Sequence, residues 1–176
     1  MTIEFETAGP AVTEQMVDAF EATLPGPLPA DYRQFLLTQN GGDPEPNWWP
    51  PEISRVDFGA RHFLGLGDVG YSYSLVRKRE IFSDRLPAHE LVIATDDGGA
   101  LVHMSLAEES SGRIVFYNPT GDFEDEQGQL IPAPLVPVSD SFTALLDGLE
   151  PQPDLEERAR RLKAAGYGGG GSIPPR

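Results

Sequence analysis

Three short apolar segments joined by turn residues constrain this chain more than any other feature. Leu91-Val92-Ile93-Ala94-Thr95 reads as a buried strand. Asp96-Asp97-Gly98-Gly99 follows, and Asp and Gly supply the positive φ angles of a tight hairpin turn. Leu101 to Leu106 reads as the returning strand. After Ser110-Ser111-Gly112 a third strand runs over Arg113-Ile114-Val115-Phe116-Tyr117. Strands joined this closely pair antiparallel, because a parallel partner needs a long crossover. Arg55-Val56-Asp57-Phe58 and His62-Phe63-Leu64 are further short strand candidates.

On both sides of these strands the apolar period becomes helical. Val12, Met16, Val17, Phe20 and Leu24 form one stripe, with Thr13 as N-cap and Glu14 in the first turn, where the helix dipole favours an anion. Pro25-Gly26-Pro27 ends that helix. A second helix has Pro29 in its first turn and carries Tyr32, Phe35 and Leu36. Asn40-Gly41-Gly42 stops it, since both residue types tolerate the left-handed conformation. A helix with a basic face covers Ser74 to Ile81. Ser139 is the expected cap of a helix carrying Phe142, Leu145, Leu146 and Leu149. The resulting class is α+β: an antiparallel sheet packed by N-terminal and C-terminal helices. Residues 1–150 form the expected single domain. Residues 151–166 form a polar helix with acids first and bases last, without an apolar face to dock it firmly. Residues 167–176 have the composition of a flexible Gly-rich tether.

Between the second helix and the strands lies DPEPNWWPPE, residues 43–52. Its four prolines argue against helix or central strand. Trp48 and Trp49 sit in it. Indole rings there serve either as caps on the core edge or as anchors at an interface, and the residues alone leave both open.

The chain of 176 residues has no cysteine, so disulfides, thiolate zinc sites and cysteine nucleophiles are excluded. No apolar run reaches membrane-helix length, and the acidic N-terminus, with Glu4 and Glu6, is not that of a signal peptide. The expected location is the cytoplasm, with no membrane partner. The net charge of −15 argues against direct nucleic-acid binding and suits a basic partner, or simply a soluble surface. Residues 118–157 alone hold ten acids and no Lys or Arg.

No catalytic set emerges. Gly65-Leu66-Gly67-Asp68-Val69-Gly70 has the G-x-G-x-x-G spacing but lacks the surrounding parallel βαβ units, and reads as a glycine-rich turn. Asp122, Glu124 and Glu126 imitate the first ligands of a calcium loop. Gln127 and Ala133 stand where that loop needs Gly and Glu. His62, His89 and His103 lack metal-ligand spacing, and His103 reads as a cross-strand partner. No cofactor and no metal are expected, and the chain reads as a binding module rather than an enzyme.

Two motifs carry a family resemblance. Leu28-Pro29-Ala30-Asp31-Tyr32-Arg33-Gln34-Phe35-Leu36, ending in Asn40-Gly41-Gly42, resembles the N-terminal signature of the SUKH (Smi-Knr type) superfamily. Ile93-Ala94-Thr95-Asp96-Asp97-Gly98-Gly99 resembles its second mark, a strand with an Asp/Gly-rich turn. The resemblance spans roughly residues 12–150; the 43–52 segment and the Gly-rich end lie outside its pattern. It implies a bacterial immunity protein that binds and neutralises a cognate toxin, many such toxins being basic nucleases. Trp48, Trp49, Asp122, Glu124, Asp125 and Glu126 are the expected contact residues. The alternatives are a regulatory interaction scaffold of the same superfamily, and a small-ligand binder or enzyme using a pocket at the sheet.

Overall fold

The computed structural model describes residues 3–54, 56–96 and 98–166. Arg55, Asp97 and the glycine-rich end from residue 167 onward lie outside the described residues. A short strand β1 (Glu4–Phe5) leads into α1 (Glu14–Glu21). Thr13 caps α1 as its sequence position suggests, its Oγ1 accepting from the Met16 N–H at 3.2 Å. Val17 and Phe20 are the buried residues of its apolar stripe. α2 (Ala30–Thr38) begins just behind Pro29, which is its N-cap, and buries Tyr32, Phe35 and Leu36.

The proline-rich segment is more structured than its composition suggests. β2 (Pro44–Glu45) pairs with β1, and β3 (Trp48–Trp49) pairs with β4 (Phe58–Gly59). Between β3 and β4, Pro51–Ser54 makes one turn of helix, α3. Proline can open such a turn because its missing N–H falls where no intrahelical bond is made. The two strand pairs stand outside the main sheet, so its ladder loses nothing to the prolines.

The main sheet has five strands in the order β11-β8-β7-β6-β5, and every pair in it is antiparallel. β5 is His62–Phe63, β6 Glu90–Thr95, β7 Leu101–Ser105 and β8 Ile114–Tyr117. A small hairpin of β9 (Phe123–Glu124) and β10 (Leu130–Ile131) projects from the chain before β11 (Val136–Ser139) closes one edge. β11 is not expected from the sequence, because Pro132, Pro134 and Pro137 interrupt any strand pattern there. Pro137 is accommodated because β11 is an edge strand with a register shift between Pro137 and Ser139. The next helix, α5 (Phe142–Asp147), is capped by Ser141, not Ser139: Ser141 Oγ accepts from the Ala144 N–H at 3.0 Å.

All five residues of β7 are buried. Neighbouring strand residues point to opposite faces, so both faces of the sheet are covered. The register places Glu90, Val92, His103 and Tyr117 on one face, and Leu91, Val102, Met104 and Phe116 on the other. α4 (Leu75–Ile81), capped by Ser74, packs against β6. Phe35 of α2 lies 4.9 Å from Phe142 of α5 and 5.6 Å from Phe63 of β5, centroid to centroid, so one aromatic cluster joins two helices to the sheet edge. The last helix, α6 (Leu155–Ala164), buries none of its residues.

Candidate functional site

The acidic loop after β8 divides its carboxylates between two tasks. Asp122 is turned inward, its side chain only 7% exposed. The Tyr117 hydroxyl donates to both of its oxygens at 2.7 and 2.6 Å, the Ala133 N–H donates to Oδ1 at 2.8 Å, and Arg85 stands 3.8 Å from Oδ2. Asp122 therefore clasps the two ends of the loop to the end of β8. Burial, reinforced by the Asp122 carboxylate, pushes the Tyr117 hydroxyl well above its ordinary pKa, so it stays a donor. Asp125 closes the β9–β10 turn, its Oδ1 accepting from the Gln127 and Gln129 N–H groups at 2.9 and 2.8 Å. Glu124 and Glu126 are exposed, and Phe123 beside them is 53% exposed. Of the four acids picked from the sequence, the structure presents Glu124 and Glu126 to solvent and uses Asp122 and Asp125 to build the loop that carries them.

The two tryptophans are not beside this loop's exposed acids on the surface. Trp48 and Trp49 are each 1% exposed. Trp49 stacks on Phe58 with centroids 6.1 Å apart, and Phe58 stacks in turn on Phe116 of the sheet at 5.2 Å. A Cβ at Gly148 would come within 2.4 Å of the Trp49 ring, so the chain passes this indole closely enough to need glycine. Trp48 donates its indole N–H to Asp57, and its backbone exchanges hydrogen bonds of 3.0 and 2.8 Å with Glu150. Of the two roles open to these rings in the sequence, the structure assigns the core one. This corrects their choice as contact residues: Trp49 is stacked in the core and Trp48 is buried beneath Arg161, so neither ring offers a partner a surface.

What the sequence reading misses is how α6 is held. Arg158 bonds Asp57, its Nε and Nη2 lying 2.9 and 2.8 Å from Oδ2. Arg161 reaches Glu52 and Glu150 at 2.8 and 2.9 Å and lies over the Trp48 ring. The missing apolar face is replaced by guanidinium chemistry. The signal for it was available as the basic run of α6 set against acids at 52, 57 and 150, but nothing local pairs them.

Asn40 occupies the junction between α2 and the glycine-rich turn. Its φ is 54°, and Gly41 and Gly42 follow at 94° and 112°. Its buried side chain donates to the carbonyls of Pro10 and Leu66 at 2.7 and 2.9 Å and accepts from the Leu66 N–H at 2.8 Å. A Cβ at Gly65 would lie 2.4 Å from the Asn40 carbonyl oxygen. The G-x-G-x-x-G segment is thus a turn folded against Asn40. It opens no helix within itself: a 3-10 turn, Tyr71–Tyr73, separates it from α4.

Comparison with known families agrees with this arrangement. The model of the SMI1 / KNR4 family (SUKH-1) matches residues 11–148. The chain belongs to that family. The SUKH-1 match takes in the Asn40-Gly41-Gly42 stop, the five-stranded sheet and α5, and ends before α6. The SUKH family in general includes immunity proteins. No curated protein matched the chain. Among the described residues, no group of three or more His, Asp or Glu side chains is placed to hold a metal ion, and no helix is long and apolar enough to cross a membrane.

Proposed function

We propose that this SUKH-1 chain is an immunity protein: in the cytoplasm it binds a cognate toxin and covers the toxin's active surface, without a catalytic step of its own. The observation that carries this reading is the braced hairpin at 122–131, where Asp122 and Asp125 hold the loop and leave Glu124, Glu126 and Phe123 outward. Exposed acids on a braced loop accelerate encounter with a basic partner, and the exposed aromatic ring next to them in the chain supplies contact area. The net charge of −15 adds long-range attraction for a basic toxin, of which a nuclease is the expected kind.

The test is capture of the partner from the toxin-loaded fraction of the source cell by the full chain, followed by a toxicity assay with and without it. One toxic partner silenced at a simple stoichiometric ratio is the expected result. Partners unrelated to toxicity, or none, would overturn the reading in favour of a regulatory scaffold.

A further inference from the structure

A cavity of about 840 Å³ lies between α1, α4 and the face of the sheet that carries Glu90 and Val92. That volume falls within the range of small-molecule sites, about 300–1,000 Å³. None of its lining residues belongs to the acidic hairpin. The walls are largely apolar: Phe20 from α1, Val76 from α4, Phe82 and Leu86 from the segment after it, and Val92 on the floor.

Glu90 breaks this apolar lining. Its side chain is 6% exposed, and its Oε2 has no hydrogen-bond partner among the described residues. His89 Nε2 stands 3.6 Å from Oε1, beyond hydrogen-bond distance, on a side chain that is 46% exposed. Arg79 and Glu80 also line the cavity. Glu80 is paired with Arg77 at 2.8 Å, and no salt bridge joins Arg79 to Glu90 among the described residues. Burial pushes the Glu90 carboxyl above its ordinary pKa, only partly opposed by His89. A buried carboxylate oxygen without a donor is costly, and a ligand that brings a cation to it relieves that cost.

We propose that this cavity is a binding site for a small amphipathic organic amine, its apolar body between α1 and α4 and its ammonium group at Glu90. Apolar walls alone would accept any hydrocarbon body of suitable size; the carboxylate with its unpartnered Oε2 selects among head groups. A neutral hydroxyl head offers Glu90 one hydrogen bond and no charge, an anionic head is repelled, and an ammonium both donates several hydrogen bonds and neutralises the charge.

The test compares n-octylamine with n-octanol on the full chain at pH 7, by calorimetry and by backbone amide shifts. The amine is expected to bind at least tenfold more tightly than the alcohol, with shifts centred on Phe20, Val76 and Val92. In Glu90→Gln that preference should fall to within twofold. Ala19→Trp, at an exposed position of α1 that lines the cavity, should weaken both ligands at least tenfold while leaving the fold intact. Equal affinity for amine and alcohol, or a preference that survives Glu90→Gln, would remove Glu90 from the site. Absence of saturable binding by either probe, or insensitivity to Ala19→Trp, would overturn the site itself.

Discussion

The guanidinium of Arg161 lies over the indole of Trp48, its central carbon 4.5 Å from the ring centroid. The same group reaches Glu52 and Glu150, and its hydrogen bonds to them raise its own pKa and keep it charged, while the Glu52 carboxyl is lowered by the bond from Arg161. α6 thus rests on the protein through charge rather than buried hydrocarbon. Arg161→Ala is expected to loosen α6 by about 1–2 kcal/mol, the combined scale of a partly exposed cation–π contact and exposed ion pairs. Amide exchange in α6 should then rise roughly five- to thirtyfold, with β7 unchanged. High salt should act in the same direction on the native chain, since these pairs are partly exposed. Unaltered exchange in the variant would show that α6 docks by other means.

Asn40 offers a second test, of the family motif as a structural element. Asn40→Ala removes three hydrogen bonds to backbone, two of them buried, and places a residue with a Cβ at φ 54° without the local bonding that Asn provides. The expected loss is about 2–4 kcal/mol, read from the urea midpoint. Asn40→Gly loses the same bonds but relieves the backbone term, and should recover about 1 kcal/mol of the difference. A loss below measurement in both would mean that the junction is held elsewhere.

His103 sets an acid limit. It is fully buried in β7, and neither ring nitrogen has a hydrogen-bond partner among the described residues. Burial lowers its pKa to about 3. The folded protein keeps the ring neutral, whereas the unfolded chain protonates it near the ordinary value of about 6.5. Between these values the unfolded state binds more protons, so stability falls as pH falls, by up to about 1.4 kcal/mol per unit. His103→Leu removes the term. Between pH 7.5 and pH 5 the variant should lose about 2 kcal/mol less than the parent in urea titrations. Parallel profiles would show that the folded state accommodates the imidazolium.

The acidic hairpin should separate by role. Reversing Glu124 and Glu126 to Lys is expected to slow association with the proposed toxin partner about tenfold at low salt and much less at high salt, with unfolding unchanged. Asp122→Ala is expected to act on stability instead, by about 2 kcal/mol, because it strips the Tyr117 hydroxyl and the Ala133 N–H of their acceptor. If Asp122→Ala leaves stability intact, or the reversal leaves the on-rate unchanged, the division within the loop is wrong.

The parts of the fold legible in the sequence are those whose signals are local. The Thr13 cap satisfies an N–H three residues ahead, and β6, β7 and β8 announce themselves by apolar runs between turn residues. β11 is missed because an edge position, invisible in one dimension, is what makes Pro137 tolerable. The cap at Ser141 is misplaced to Ser139 because both are serines before the same apolar stripe, and only the register of β11 against β8 decides which one is free to cap.

By itself the sequence determined the α+β class, the antiparallel order of the central strands, the family signature and the charge of the chain, all of which follow from residue type and short spacing. Tertiary structure alone decided which polar and aromatic groups are available. Trp48, open between core cap and interface anchor, and Asp122, expected as a contact residue, are buried by strand pairing and loop closure, and α1 and α4 build an apolar cavity around Glu90. Burial is a property of what distant segments bring together, and side-chain chemistry read along the chain carries no record of it.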